Sequence, residues 1–233
     1  ADYIITTGES VRNSMINNNR IMPEIIQSIP TGIDSEIFNP KKYEREECRE
    51  QFNIEDNEIA IGIVAVLRRF KRHDLFLKMA RALIDQYSGK NFIFLIAGDG
   101  PQKKRILDLI NELDIVANVK LLGYVDQVPE LLSALDVFVL SSDSKEGVPQ
   151  SVIQALSMNI SVVATNTGST RELLNNNSFY LADTNNVDDL VKGVSYFLHN
   201  SFQNKTREYI LTNYTKSVMC NKIIQMYKGL IQN

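Results

Sequence analysis

Cysteine and histidine are scarce in this chain of 233 residues, with two of each: Cys48, Cys220, His73 and His199. Two cysteines without C-x-x-C spacing cannot build a disulfide framework, and so few histidines argue against a zinc site. The pair reads as reduced thiols of a cytoplasmic protein. An excess of one charge is also missing, since 25 Lys and Arg stand against 28 Asp and Glu, a formal net charge of −3. A nucleic-acid footprint needs a basic excess, so no nucleic-acid partner is expected. No apolar run approaches the ~20 residues of a membrane span, and no signal peptide is expected. The glycine fingerprints G-x-G-x-x-G and G-x-x-x-x-G-K-[S/T] are absent as well. That disfavours a plain dinucleotide-binding oxidoreductase and a P-loop NTPase.

What is present is ordinary globular composition, 44% hydrophobic and 23% charged. A domain of this length buries roughly 70–75% of its unfolded surface and needs no metal or disulfide to hold it. From Asn57 onward, apolar runs alternate with amphipathic stretches. Strands are expected at Ile59–Leu67, NFIFLIA, NVKLLGYV, DVFVLSSD, ISVVATNTG and, weakly, SFYLAD. Helices are expected at Asp74–Tyr87, at PQKKRILDLINEL with Pro101 in its first position, and at VPELLSAL and PQSVIQALSM. A short helix, STRELL, should be capped by Ser169, and helices at Val187–His199, Gln203–Thr212 and Ser217–Ile231 should end the chain. Strict alternation implies right-handed βαβ units, and hence an α/β, Rossmann-like, doubly wound parallel sheet. Ligands of such sheets bind beyond the carboxyl ends of the strands. The loops after Leu67, Ala97, Leu122, Leu140 and Ala164 are therefore the ones to search.

Residues 1–40 read differently. ADYIITTGESVRNSMINNN gives a strand, a cap at Ser10 and a helix, and IPTGIDSEIFNP has the Pro, Gly and Asp content of a connector. One β-α unit cannot bury its own apolar face. The chain also starts at Ala1 inside a strand-like run. Residues 1–40 are thus expected to be the tail of a preceding domain plus a connector, and residues 41–233 the main domain.

Three loops carry candidate chemistry. In KEGVPQSVIQAL, Gly147 permits a sharp turn and Pro149 presets φ at a helix start. The amides of Val148, Gln150 and Ser151 then face an anion such as phosphate, favoured by the helix dipole. Glu146 stands just ahead, where a carboxylate suits the hydroxyls of a sugar beside that phosphate. An isolated E-G-x-P could equally be an acid that only complements the dipole. After the first main strand, Arg68, Arg69, Lys71 and Arg72 crowd an expected anion pocket, although a solvated basic turn would look the same. His73 reads as structural. In Leu122-Gly123-Tyr124-Val125, Gly123 would let backbone approach a flat ligand such as a base. The turn Gly98–Pro101 is explained by its own tightness.

In order and spacing, these positions resemble the carboxyl-terminal domain of the retaining, two-domain (GT-B) glycosyltransferases of family 4. The marks are ADYIITTGESVR, IPTGIDSEIFNP, VAVLRRFKRHD, IAGDGPQKKRI, VKLLGYVDQVPELLSALDVFVLSSDSKEGVPQSVIQAL and SVVATNTGSTREL, which span nearly the whole chain. The resemblance implies an E-x7-E motif whose first Glu contacts the donor hexose and whose second contacts ribose. Glu146 matches the first position, and Gln154 stands at the second. An amide keeps one acceptor and gives up a charge-assisted bond, roughly 1 kcal/mol or more.

The resemblance also implies an Arg and a Lys on the donor diphosphate. Lys71 matches the Lys, while Val66 stands where the Arg belongs, so Arg68 or Arg69 is the candidate replacement. Gly123, Tyr124 and Val125 match the loop that frames the base. The implied activity is transfer of a hexose from a nucleoside-diphosphate sugar to a hydroxyl of a glycan or lipid-linked acceptor, with retention and with neither cofactor nor metal. Glu146, Lys71 and Arg68 would be catalytic. Arg69, Gly123, Tyr124, Val125, Gly147, Val148, Pro149, Gln150, Ser151 and Gln154 would bind the donor. The acceptor site would lie in the missing amino-terminal domain, so the chain alone should transfer little. Bacterial polysaccharide synthesis is the implied setting, in the cytoplasm, with room for peripheral membrane contact by the full-length protein. The rivals are a non-catalytic donor-binding or scaffold subunit and a different enzyme on this fold, such as an epimerase or phosphorylase.

Overall fold

A computed structural model describes residues 3–144, 146–173, 179–200 and 206–231. The centre is a six-stranded parallel sheet built from β3 (Glu58–Val64), β4 (Asn91–Ala97), β5 (Val119–Gly123), β6 (Val137–Leu140), β7 (Ser161–Thr165) and β8 (Phe179–Ala182). Their order is β5-β4-β3-β6-β7-β8, all parallel, so strands are added outward from β3 on one side and then from β6 on the other. Such a sheet is apolar on both faces, which is why its strands read as continuous hydrophobic runs. Along β4, Phe92, Phe94 and Ile96 enter one core while Ile93, Leu95 and Ala97 enter the other. One face is covered by α3 (His73–Gln86), α4 (Lys103–Glu112) and α7 (Val187–His199). The other is covered by α2 (Arg45–Gln51), α5 (Val128–Ala134), α6 (Gln150–Ser157) and α8 (Thr206–Asn213). The expected fold class is therefore observed.

Several boundaries differ for identifiable reasons. The apolar run through Leu67 leaves the sheet after Val64, because Leu67 N donates to Asp99 O (3.0 Å) and Gln102 N to Leu67 O (3.0 Å). The Gly98–Pro101 turn thus braces this loop. A Cβ on Gly98 would lie 2.0 Å from Ala65 O, so more than turn geometry demands glycine there. Pro101 lies in that turn, ahead of α4, and is not its first residue. β6 stops at Leu140, and the SSD that follows is used for latching. Leu174 and residues 203–205, expected to be helical, lie outside the described residues.

The amino-terminal part forms its own small sheet. β1 (Ile4–Thr6) pairs in parallel with β2 (Ile26–Ser28), a strand the sequence reading missed, across α1 (Glu9–Asn19). Ser10 does not cap this helix. The helix begins at Glu9, and its first amides are satisfied from the main domain: Glu9 N by Glu172 Oε1 (2.9 Å) and Ser10 N by Ser169 Oγ (3.0 Å). Ser169 therefore serves α1 rather than its own short 3-10 turn, Thr170–Leu173. The connector is pinned by the segment leading into α9 (Lys216–Ile231), with Ile33 N donating to Tyr214 O (2.8 Å) and Lys216 N to Ile33 O (2.9 Å).

Candidate functional site

The carboxyl edge of β3 and β6 brings two of the expected residues together. Lys71 Nζ forms an ion pair with Glu146, and both side chains are largely buried, 14% and 13% exposed. Ser142 donates to the same carboxylate oxygen, Oε1, at 2.8 Å. The backbone around Glu146 is held from behind, since Glu146 O accepts from Ser169 N at 3.1 Å. Gly168, with φ of +54°, passes so close that a Cβ there would lie 1.9 Å from Glu146 O. Left-handed backbone and close approach both call for glycine.

The loop carrying Lys71 is latched to β6 by residues that sequence reasoning passed over. Ser141 Oγ reaches the carbonyls of Lys71 (3.0 Å) and Arg72 (2.9 Å), and Asp143 N donates to Phe70 O (2.9 Å). Arg72 sits in the left-handed region at φ 50° and forks onto Asp74 (2.9 and 3.0 Å) while also meeting Asp143 (3.1 Å). Those hydrogen bonds, Asp74 first, hold its guanidinium above the ordinary pKa. Burial works against the Asp74 carboxylate. The bonds and charge of Arg72, with Lys78, outweigh it and lower the pKa. Only the S-S-D string after an apolar run could have signalled this latch.

The loop ahead of α6 differs from its expected form. Gly147 is not in the left-handed region. What requires glycine is Thr7, whose Oγ1 would lie 2.2 Å from an added Cβ. Val148 is buried and its amide donates to Thr7 O at 2.8 Å, so it does not face an open anion site. Pro149 is the N-cap residue, at φ −72°, as expected. The amides of Gln150 and Ser151 take no partner among the described residues, and the Gln150 side chain donates to Thr31 O (2.7 Å). Gln154 is half-buried on α6, and its side chain has no partner among the described residues.

Gly123 has φ +70° and open space where a Cβ would go, but its carbonyl is taken by Gly98 N at 2.7 Å. Tyr124 stands out at 78% exposure, and Val125 packs against the core. Arg68 and Arg69 are exposed and line a separate cavity of about 370 Å³ between the starts of α3 and α4. The structure does not bring them to the Lys71–Glu146 pair. Val66 is 42% exposed, with no cation in its place.

The architecture is that of the GT-B glycosyltransferases. The chain belongs to the family Glycosyl transferases group 1, whose pattern matches residues 44–217. Among curated relatives, the putative glycosyltransferase EpsF of Bacillus subtilis (strain 168) is 29% identical over 155 residues, 66% of this chain and 40% of EpsF. Among solved structures, a glycosyltransferase from Rickettsia africae ESF-5 superposes with a TM-score of 0.91 at 21% identity, covering 100% of this chain and 64% of that one. Anabaena HepE, solved in complex with UDP-glucose, gives 0.88 at 17% identity, covering 98% and 64%. These structural likenesses concern the fold. The chain spans about two fifths of the length of EpsF and less than two thirds of either solved chain. Among the described residues, no helix is long and apolar enough to cross a membrane.

Proposed function

We propose that this chain is the donor-binding part of a retaining hexosyltransferase that uses a nucleoside-diphosphate sugar. The observation that carries the reading is the Lys71–Glu146 pair, set at the carboxyl edge of the sheet beside the free amides of Gln150 and Ser151. Family membership and the UDP-glucose complex of HepE support it. With no donor bound, ammonium and carboxylate neutralise each other. When the donor enters, Lys71 exchanges its carboxylate for diphosphate oxygens and Glu146 is released to accept from sugar hydroxyls.

In the reaction, the bond between the anomeric carbon and the diphosphate oxygen breaks, a bond to the acceptor oxygen forms, and the acceptor's hydroxyl proton passes to the departing diphosphate. Negative charge grows on the departing diphosphate. Lys71 and the α6 amides are fixed dipoles and charges aimed at that growth, and such preorganised electrostatics is usually the largest catalytic contribution. Chelation of metals should therefore leave turnover of the full-length protein unchanged. The acceptor site and further contacts belong to sequence preceding residue 1, so the chain by itself binds donor weakly and transfers little. Residues 1–40 are, on this reading, the end of that preceding domain and its connector.

The test is calorimetric titration of the chain with UDP, GDP and ADP. One of them should bind at micromolar to millimolar concentration, and silence from all three would end the nucleotide assignment. A second reading, a non-catalytic donor-binding subunit, is favoured by Val66 and Gln154 in place of the charged residues. Turnover by the full-length protein that disappears in Glu146→Ala rules it out.

A further inference from the structure

We infer that the cavity between α3 and α4 is a second anion site, built for a phosphate or diphosphate group and separate from the Lys71–Glu146 cleft. Its wall carries five cations, Arg68, Arg69, Arg72, Lys78 and Arg105, against the carboxylates Asp74 and Asp143. Both carboxylates are already held by Arg72. Arg105 is shared with Glu112 at 3.2 Å on the exposed rim. The side chains of Arg68, Arg69 and Lys78 make no hydrogen bond or ion pair among the described residues, Lys78 acting on Asp74 through its charge alone. Three cations without an ion pair among the described residues, around about 370 Å³, suit a multiply charged anion. A lone carboxylate would leave most of that charge unanswered, whereas an Arg fork matches two phosphate oxygens at once.

His73 lines the cavity, is 3% exposed, and neither of its ring nitrogens has a partner among the described residues. Both ring nitrogens are shut off from the surface, so the ring senses an anion in the cavity from beside it rather than by donating to it. Burial, with the charge of Lys71, lowers its pKa to about 4, so the ring is neutral at pH 7 and leaves the cavity's charge to the cations around it. His73 also opens α3, a helix of 14 residues, whose dipole favours negative charge at this end.

The probe is inorganic diphosphate, and the readout is the imidazole NMR signals of the two histidines. His199 sits at the far end of the α3 layer, packed at a tilt against Tyr87, and serves as the internal control. The His73 signals should move to saturation while those of His199 stay still. Lys78→Glu, on an exposed residue outside the donor cleft, should weaken the response about tenfold, and Arg105→Glu similarly. Lys71→Ala should leave it intact. Sedimentation with phosphatidylcholine vesicles containing phosphatidic acid distinguishes the sources. Binding lost in Lys78→Glu assigns a lipid headgroup, and diphosphate binding without sedimentation assigns a soluble anion; either supports the site. The inference is overturned if neither probe binds, or if the His73 response vanishes in Lys71→Ala and survives in Lys78→Glu.

Discussion

Arg68 and Arg69 lie within three residues of Lys71, in one basic string, yet the two parts of the string have opposite surroundings. Lys71 is largely buried, paired with Glu146, and its loop is pinned to β6 through Ser141 and Asp143. The Arg68 and Arg69 side chains are exposed, make no ion pair among the described residues and line a separate cavity. Arg72 divides the two environments, its left-handed backbone turning the chain into α3. Charge alone therefore says little about role. A buried cation must always have an anionic partner, carboxylate or phosphate, because leaving it alone costs several kcal/mol. An exposed cation is free to take whatever anion arrives.

The sharpest way to break this contrast is Glu146→Ala. It strands the Lys71 charge and should cost about 3 kcal/mol in urea unfolding, in addition to abolishing turnover of the full-length protein. Arg68→Ala should change stability by less than about 0.5 kcal/mol in the same assay. Equal costs would mean that the two environments are not distinct.

Next comes pH. His73 has a folded pKa of about 4 against 6.5 when unfolded. Because the folded value is the lower one, its contribution is fully present above pH 6.5 and is lost as pH falls toward 4. Up to about 3 kcal/mol should go across that window, and His73→Phe should flatten the slope. Ser142→Ala removes one hydrogen bond to the Glu146 carboxylate and should cost about 1.5 kcal/mol, measured by thermal or urea unfolding.

Smaller still is Gln154→Glu. Restoring a carboxylate should tighten UDP binding about fivefold, roughly 1 kcal/mol, if this side chain meets ribose. No change would limit the motif to Glu146. Last, unchanged UDP affinity in both Arg68→Ala and Arg69→Ala would end the idea that either replaces the cation missing at Val66.

Much of the fold was legible because both faces of the sheet are buried. Runs such as NFIFLIA have no other stable use, and α7 appears at the expected residues, Val187–His199. The meeting of Lys71 with Glu146 was legible only through the family resemblance, since 75 residues separate them. The capping assignments failed at Ser10 and Ser169 for one shared reason. A cap is identified from neighbours in sequence, yet the α1 amides are satisfied by Ser169 and Glu172, about 160 residues away. Gly147 does bend the chain as expected, but only the fold shows that Thr7, packed against its Cα, is what excludes a side chain.

By itself the sequence determined the layer architecture, the parallel sheet and the edge at which ligands would bind. Hydrophobic periodicity is a local property, and burial on two faces leaves a continuous apolar run. Only the tertiary structure decided which cations are ion-paired among the described residues and which are not, that Val148 gives its amide to Thr7, and that His73 is buried without a partner among those residues beside an open basic cavity. Those outcomes depend on distances between residues far apart in the chain. Coulombic and hydrogen-bond energies change by several kcal/mol over a few ångströms, a scale that no pattern along the chain encodes.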